Sequence, residues 1–368
     1  MVTSGHPSSV RLQRALAALL LAGVAQWCLP HVPLGGLILF GAAALLFLSA
    51  TTHPEQPWPD TSLKPIPPLT GRRYPLLALL LSLGAILSAA GGLYLFSRET
   101  QLPWAWRLYL SSLLLGLGAV YVAFPGHRQP PDPAARRTAW RTGILTLYVV
   151  LIGASLRFYR LDVLPWGVWH DEAGNGLVAL RLMSDPTAWP VYVPSATLPA
   201  HFLYLVALSF RVLRPSPLAL RIVSACFGLL TIVAAYGVGR ELFGRGAGLI
   251  LAVFLAFSRW DINWSRIGMQ GVTTPFFTMA VVYFLARGLR TGHPRFFAWA
   301  GLSLGLGMSS YAAFRPFPVV VFLFLLSLAV RQGRNWFLPR YASGLVILII
   351  MALSLIHISE PTRLGMIS

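Results

Sequence analysis

Acidic residues are scarce in this chain. Eleven Asp and Glu stand against 29 Lys and Arg in 368 residues, a formal charge of +18. Carboxylates are costly near a bilayer and are seldom kept there without a task, so each one carries information. Cysteine is nearly absent as well. Cys28 and Cys226 both fall inside apolar runs, without metal-ligand or redox spacing. That excludes a disulfide framework and leaves both as small packing residues. No repeat of fixed period occurs, which excludes solenoids and propellers.

Apolar sequence is what the chain has in plenty. It is 56% hydrophobic with a mean hydropathy of +0.67. Its apolar runs recur at lengths near the roughly 20 residues that span a bilayer. The fold class is therefore all-α, a polytopic membrane helical bundle. Runs at 12–29, 34–50, 74–96, 106–124, 143–158, 218–239, 246–262, 273–289, 296–312 and 317–330, with a last one beginning near Ala342, predict about eleven spans. The first run has no small-residue cleavage site and more spans follow it, so it reads as an uncleaved span. In a soluble protein the basic excess would suggest nucleic acid. Here Lys and Arg lie in short loops between apolar runs, where they set orientation and meet anionic lipid head groups. No nucleic-acid partner is expected.

Segment 199–213 is too short to cross. Fifteen residues cover about 22 Å of helix against a hydrocarbon core of about 30 Å. If it lies along the interface, the cytoplasmic segments carry 17 Lys and Arg against four acids, and the outer side carries 11. If it crossed, three later Arg-rich loops would move outside. The charge bias selects the first arrangement. It predicts a plasma (inner) membrane protein with a cytoplasmic N-terminus and interfacial helices in a long outer loop, 157–221.

Proline-rich residues 53–68 and basic residues 127–141 read as connectors. Residues 1–125 are expected to form an accessory four-span module with no candidate chemistry, and residues 126–352 the functional core. Residues 353–363 read like one frame of a sequencing-library adapter. Only 11 apolar residues, 342–352, precede them, about 16 Å of helix. Residues 353–368 are thus expected to be an artefactual tail on the N-terminal part of a longer protein.

The most informative acids are Asp171 and Glu172, about a dozen residues beyond the run 143–158 and facing outward. At that depth a carboxylate can meet a soluble hydroxyl on one side and a lipid-borne phosphate on the other. An acidic pair in an outer loop is otherwise simply solvated.

From about Leu145 to Trp336 the chain resembles the membrane glycosyltransferases of the GT-C superfold that use polyprenyl-phosphate sugars, nearest to family 39, the dolichyl-phosphate-mannose–protein mannosyltransferase type. The resemblance rests on an ordered series. Arg157-Phe-Tyr-Arg160-Leu leads to Leu164-Pro165 and Trp169-His170-Asp171-Glu172. Leu220-Arg221-Ile-Val-Ser, Gly239-Arg-Glu-Leu-Phe-Gly244, Trp264-Ser265-Arg266 and Tyr311-Ala-Ala-Phe-Arg315-Pro316 follow. It implies a catalytic Asp in the first outer loop of the core, a polyprenyl-phosphate sugar donor, and a lipid, glycan or protein acceptor.

Such a reaction needs a base for the acceptor hydroxyl, worth roughly 10²–10⁴-fold, and cations for the departing phosphate. Asp171 is expected to be the base, with Glu172 orienting it or the acceptor. His170 is weighed as a phosphate or metal contact against a structural role. Arg266 and Arg315 are candidates for the phosphate, weighed against snorkelling to head groups. Arg157 and Arg160 read more readily as interfacial anchors. Gln270 and Tyr311 are further substrate candidates. Relatives in this superfold often place a second carboxylate where this chain has Met269-Gln270-Gly271. Metal dependence, which some relatives obtain with that second acid, is therefore in doubt here; a divalent metal stays open, and no cofactor is assigned. The present chain alone is expected to be inactive. A transporter or lipid flippase is the alternative, disfavoured because the acidic pair is at the surface and mid-span charge is sparse.

Overall fold

Peptide groups in lipid must be satisfied within the chain, which leaves helices as the way for an apolar run to cross. The computed structural model describes residues 74–98, 100–125, 133–185, 191–193, 198–332 and 334–356, with scattered positions between 14 and 46. The chain divides into two units, residues 1–63 and 64–368. The spans expected at 12–29 and 34–50 lie largely outside the described residues, and residues 357–368 lie outside them altogether.

In the second unit the helices are α1 (Pro75–Ser97), α2 (Leu102–Ala123), α3 (Pro133–Phe158), α4 (His170–Ser184), α5 (His201–Leu213), α6 (Pro217–Phe243), α7 (Arg245–Phe257) and α8 (Arg259–Ser265). They continue with α9 (Thr273–Thr291), α10 (Pro294–Met308), α11 (Phe317–Gln332) and α12 (Arg334–Ile356). One two-residue ladder, Tyr192–Val193 with Leu198–Pro199, is the extent of β-structure among the described residues.

Six helical segments among the described residues are long and apolar enough to span, or seven if α7 and α8, bent by 60°, count as one. That is fewer than the eleven or so expected, of which the runs at 12–29 and 34–50 lie largely outside the described residues. The run read as 296–312 is the 15-residue α10, about 22 Å of helix. Its residues from Ala298 to Gly305 are buried on nearly every side, which marks an internal helix rather than a lipid-facing one.

Two contact regions matter for the site. Phe96, Trp106, Tyr109, Leu113 and Val120 of α1 and α2 pack with Ala298, Leu302 and Met351 of α10 and α12. Small residues set the spacing: a Cβ added at Gly301 would lie 3.0 Å from the Leu348 Cα. The second region joins α4, α5 and α6. Glu172, Asn175, Gly176, Ala179 and Leu182 form the buried stripe of α4 at helical spacing. Phe202, Leu203, Val206, Ala207 and Phe210 do the same for α5. The opposite face of α5 exposes Leu205, Leu208 and Val212. Residues 201–213 of the short segment are therefore helical, with an apolar free face and Arg211 near its end.

At another end of the unit, Glu241 of α6 is buried and paired with Arg287 and Arg290 of α9, at 2.9 and 2.8 Å. Arg295 of α10 donates to the Tyr121 carbonyl at 2.7 Å.

Candidate active site

The acidic pair opens a helix instead of sitting in irregular loop. Trp169 is extended and α4 begins at His170, so Asp171 and Glu172 occupy the first helical turn. Acids there complement the helix dipole by about 0.3–1 kcal/mol, enough to account for a pair by itself. What distinguishes these two is that their environments diverge.

Glu172 is fully buried. Its Oε2 accepts the Trp169 amide at 3.2 Å, the return half of a capping box. Its two oxygens receive the Arg221 Nε at 2.7 Å and Nη2 at 3.1 Å, a fork-to-fork pair. Oε1 also accepts the Gly268 amide at 2.9 Å. Arg221, buried four residues into α6, donates further to the carbonyls of Leu161, Pro165 and Gly167. One ion pair thus ties together the loop 159–169, the start of α4, the start of α6 and the loop 266–269. Residues 172 and 221 thus stand side by side, and the chain between them, α5 included, closes into a loop.

Asn175, one turn beyond Glu172 on the same face, donates to the Gly268 carbonyl at 2.9 Å. Its Oδ1 lies 3.5 Å from the Gln270 Nε2, and Gln270 is buried. Gly268 is required by this close approach, since a Cβ there would stand 2.9 Å from the Leu220 Cδ1.

Asp171 points the other way. Its side chain is 61% exposed, with His170 Nδ1 3.3 Å from Oδ1 and the imidazole almost fully exposed. Among the described residues no three His, Cys, Asp or Glu lie together in a metal-holding group.

Beside the pair is a half-open cavity of about 800 Å³, lined mainly by apolar and aromatic groups, with Glu172, Asn263 and Arg266 as its charged and amide members. Trp166, Trp169 and Tyr159 stand exposed along it. Arg266 donates through Nη1 to the carbonyls of Leu156 and Arg157, at 2.8 and 3.1 Å. Through Nη2 it donates to those of Tyr159 and Leu164, at 2.7 and 3.1 Å. Burial, and after it the Arg221 guanidinium, lowers its pKa from the usual value. An arginine stays cationic regardless. It can therefore offer a phosphate its charge and its Nε, while its Nη donors are engaged.

The structure brings Glu172, Gln270 and Arg266 into one connected region and leaves Asp171 and His170 at its exposed side. Tyr311 and Arg315 do not line the cavity. Tyr311 stands with Trp264 about the open Cα of Gly271, each 3.8 Å from where a Cβ would be. Arg315 is half-buried; its amide closes a turn onto the Ala312 carbonyl at 3.1 Å, and its guanidinium has no hydrogen bond or ion pair among the described residues.

Sequence reasoning assigned no role to Arg221, Asn175 or Asp261. A cation inside an otherwise apolar helix was the available signal for Arg221, and the (i, i+3) relation to Glu172 for Asn175. Arg157, read as an interfacial anchor, is fully buried and pairs with Asp261. Position at the end of an apolar run cannot say which face a side chain takes.

Residues 198–358 match a family model described as dolichyl-phosphate-mannose-protein mannosyltransferase. The matched stretch contains Arg221, Arg266, Gln270, Tyr311 and Arg315 and begins after Asp171 and Glu172. No curated protein and no solved structure matches the chain. This is a multi-pass membrane protein whose residues 198–358 are similar to the dolichyl-phosphate-mannose-protein mannosyltransferases, a family of the GT-C kind.

Proposed function

We propose that the protein transfers a sugar from a polyprenyl-phosphate donor to an acceptor hydroxyl at the extracytoplasmic face, with Asp171 as general base. The observation that carries this reading is the divergence of two adjacent carboxylates. Glu172 is locked by Arg221 and two amides, and so holds the exposed Asp171 on a fixed turn beside an apolar cavity that contains a cation.

In this reaction the acceptor oxygen attacks the anomeric carbon, its proton passes to the Asp171 carboxylate, and the bond from that carbon to the phosphate oxygen breaks. The lipid phosphate leaves with its negative charge. Arg266, in the cavity wall, supplies a fixed positive charge for it. The aliphatic and aromatic walls suit the isoprenoid end of the donor, reached sideways from lipid past the sparsely buried α3. The similarity of residues 198–358 to the mannosyltransferase family favours a mannosyl donor, and a lipid, glycan or protein is the acceptor.

The contacts also support the sidedness inferred from loop charge. Glu241 with Arg287 and Arg290 joins residues 240–245 to 287–295, two segments that the charge bias assigns to the cytoplasm. Glu172, Arg221 and Gly268 join segments assigned to the outside. Single cysteines labelled with an impermeant reagent in intact cells should react at position 171 and not at position 243. Reaction at both from outside would contradict this topology.

The 60° break between α7 and α8, with a charged pair beside it, is a feature a transporter would share. Its charges and freed carbonyls are satisfied by one another, so it offers no open site to a solute. Membranes containing the full-length gene product, assayed with a panel of polyprenyl-phosphate sugars, separate the two readings. Sugar transfer supports the transferase, whereas solute uptake into vesicles without transfer supports the transporter.

A further inference from the structure

Two arginines cap each other's helices. Arg157 reaches from the end of α3 to the break between α7 and α8, where the bend at Ser258 deprives the last carbonyls of α7 of their next-turn partners. Its Nη1 donates to the Ala256 carbonyl at 3.3 Å and its Nη2 to that of Leu255 at 3.0 Å. The same guanidinium pairs with Asp261 in the first turn of α8. In return Arg266, just past α8, donates to the carbonyls of Leu156, Arg157 and Tyr159 that end α3. The exchange is closely packed: Ser265 Oγ donates to the Asp261 carbonyl at 2.5 Å, and Gly228 of α6 leaves the space that Ser265 and Arg157 occupy.

We propose that the Arg157–Asp261 pair is a positioning element that holds loop 266–271 over Glu172. This rests on the reading of Asp171 and Glu172 as the site. The path is short and covalent. Asp261 fixes the direction of α8, α8 delivers Arg266 to the end of α3, and two residues later Gly268 places its amide on Glu172 and its carbonyl on Asn175. Neither Arg157 nor Asp261 lines the cavity or touches a reacting group. Both act through the backbone of 266–270. A lysine at 157 would keep the charge but could not reach a carboxylate and two carbonyls at once.

Hydrogen exchange tests this without relying on catalysis. In the unaltered protein, peptides spanning 266–272 should exchange slowly, because the Gly268 amide is donated to a buried carboxylate. Asp261→Asn should speed exchange there by about tenfold or more, with α9 residues 277–289 unchanged. Arg157→Lys, which keeps a cation opposite Asp261, should give the same local pattern more mildly and provides the test if Asp261→Asn fails to fold. In the transfer assay both variants should lower kcat while the donor KM holds. Unaltered exchange at 266–272 in a folded variant would overturn the proposal, and so would an equal rise throughout α6 and α9. If the unaltered protein transfers no sugar at all, the proposed function fails while the exchange result still decides the positioning role.

Discussion

Replacing Asp171 by Asn in the full-length gene product should reduce sugar transfer by at least about a hundredfold while donor binding is retained. Asn keeps the size of the side chain and much of its hydrogen bonding, but it cannot take a proton. General-base catalysis contributes roughly 10²–10⁴-fold, which sets the scale of the loss. The base acts on the acceptor's proton in the transition state, so the defect should appear in kcat and in kcat/KM alike. Folding should be almost untouched, since Asp171 is exposed and its near neighbour His170 is exposed as well. A variant that melts like the parent and transfers as fast would remove Asp171 from the mechanism.

The second large effect is on stability. Arg221→Met leaves Glu172 buried without its cation, and breaking such a pair typically costs about 3–5 kcal/mol. Replacing a buried pair with apolar groups is often harmless, but Glu172→Leu combined with Arg221→Met should not rescue the protein. The pair also satisfies the amides of Trp169 and Gly268 and the carbonyls of Leu161, Pro165 and Gly167. Each buried backbone group left unpaired costs about 1–3 kcal/mol. Thermal unfolding in detergent should therefore show the double variant no more stable than Arg221→Met alone. A double variant that melts like the parent would show the pair to be dispensable scaffolding.

How far the sequence could be read depended on what each signal measures. Apolar run length locates helices well: the run at 74–96 matches Pro75–Ser97 to one residue at each end, and the run at 218–239 lies within Pro217–Phe243. Length alone does not separate a lipid-facing span from an internal helix, and α10 overlaps a run that reads as a span. The acidic pair stood out because acids are rare, and the sequence order of Trp169, His170, Asp171 and Glu172 was enough to single it out. Its division into an exposed and a buried carboxylate was not legible. That depends on partners 49 and 96 positions away, Arg221 and Gly268, which no local pattern announces. The arginines show the same limit. Arg157, Arg160 and Arg266 look alike at the ends of apolar runs, yet Arg160 is exposed, Arg157 is fully buried and Arg266 is engaged by four carbonyls.

The most direct measurement uses right-side-out membrane vesicles that contain the full-length gene product and a polyprenyl-phosphate mannose labelled in its sugar. Label transfer to acceptor and the fate of the lipid phosphate are followed in the unaltered protein and in Asp171→Asn. The account predicts that the unaltered protein moves label to acceptor at the outer face and releases polyprenyl phosphate in equal amount, and that Asp171→Asn binds the donor but leaves its sugar in place. Donor consumption that is the same in both proteins, or transfer confined to vesicles of the opposite orientation, would contradict it.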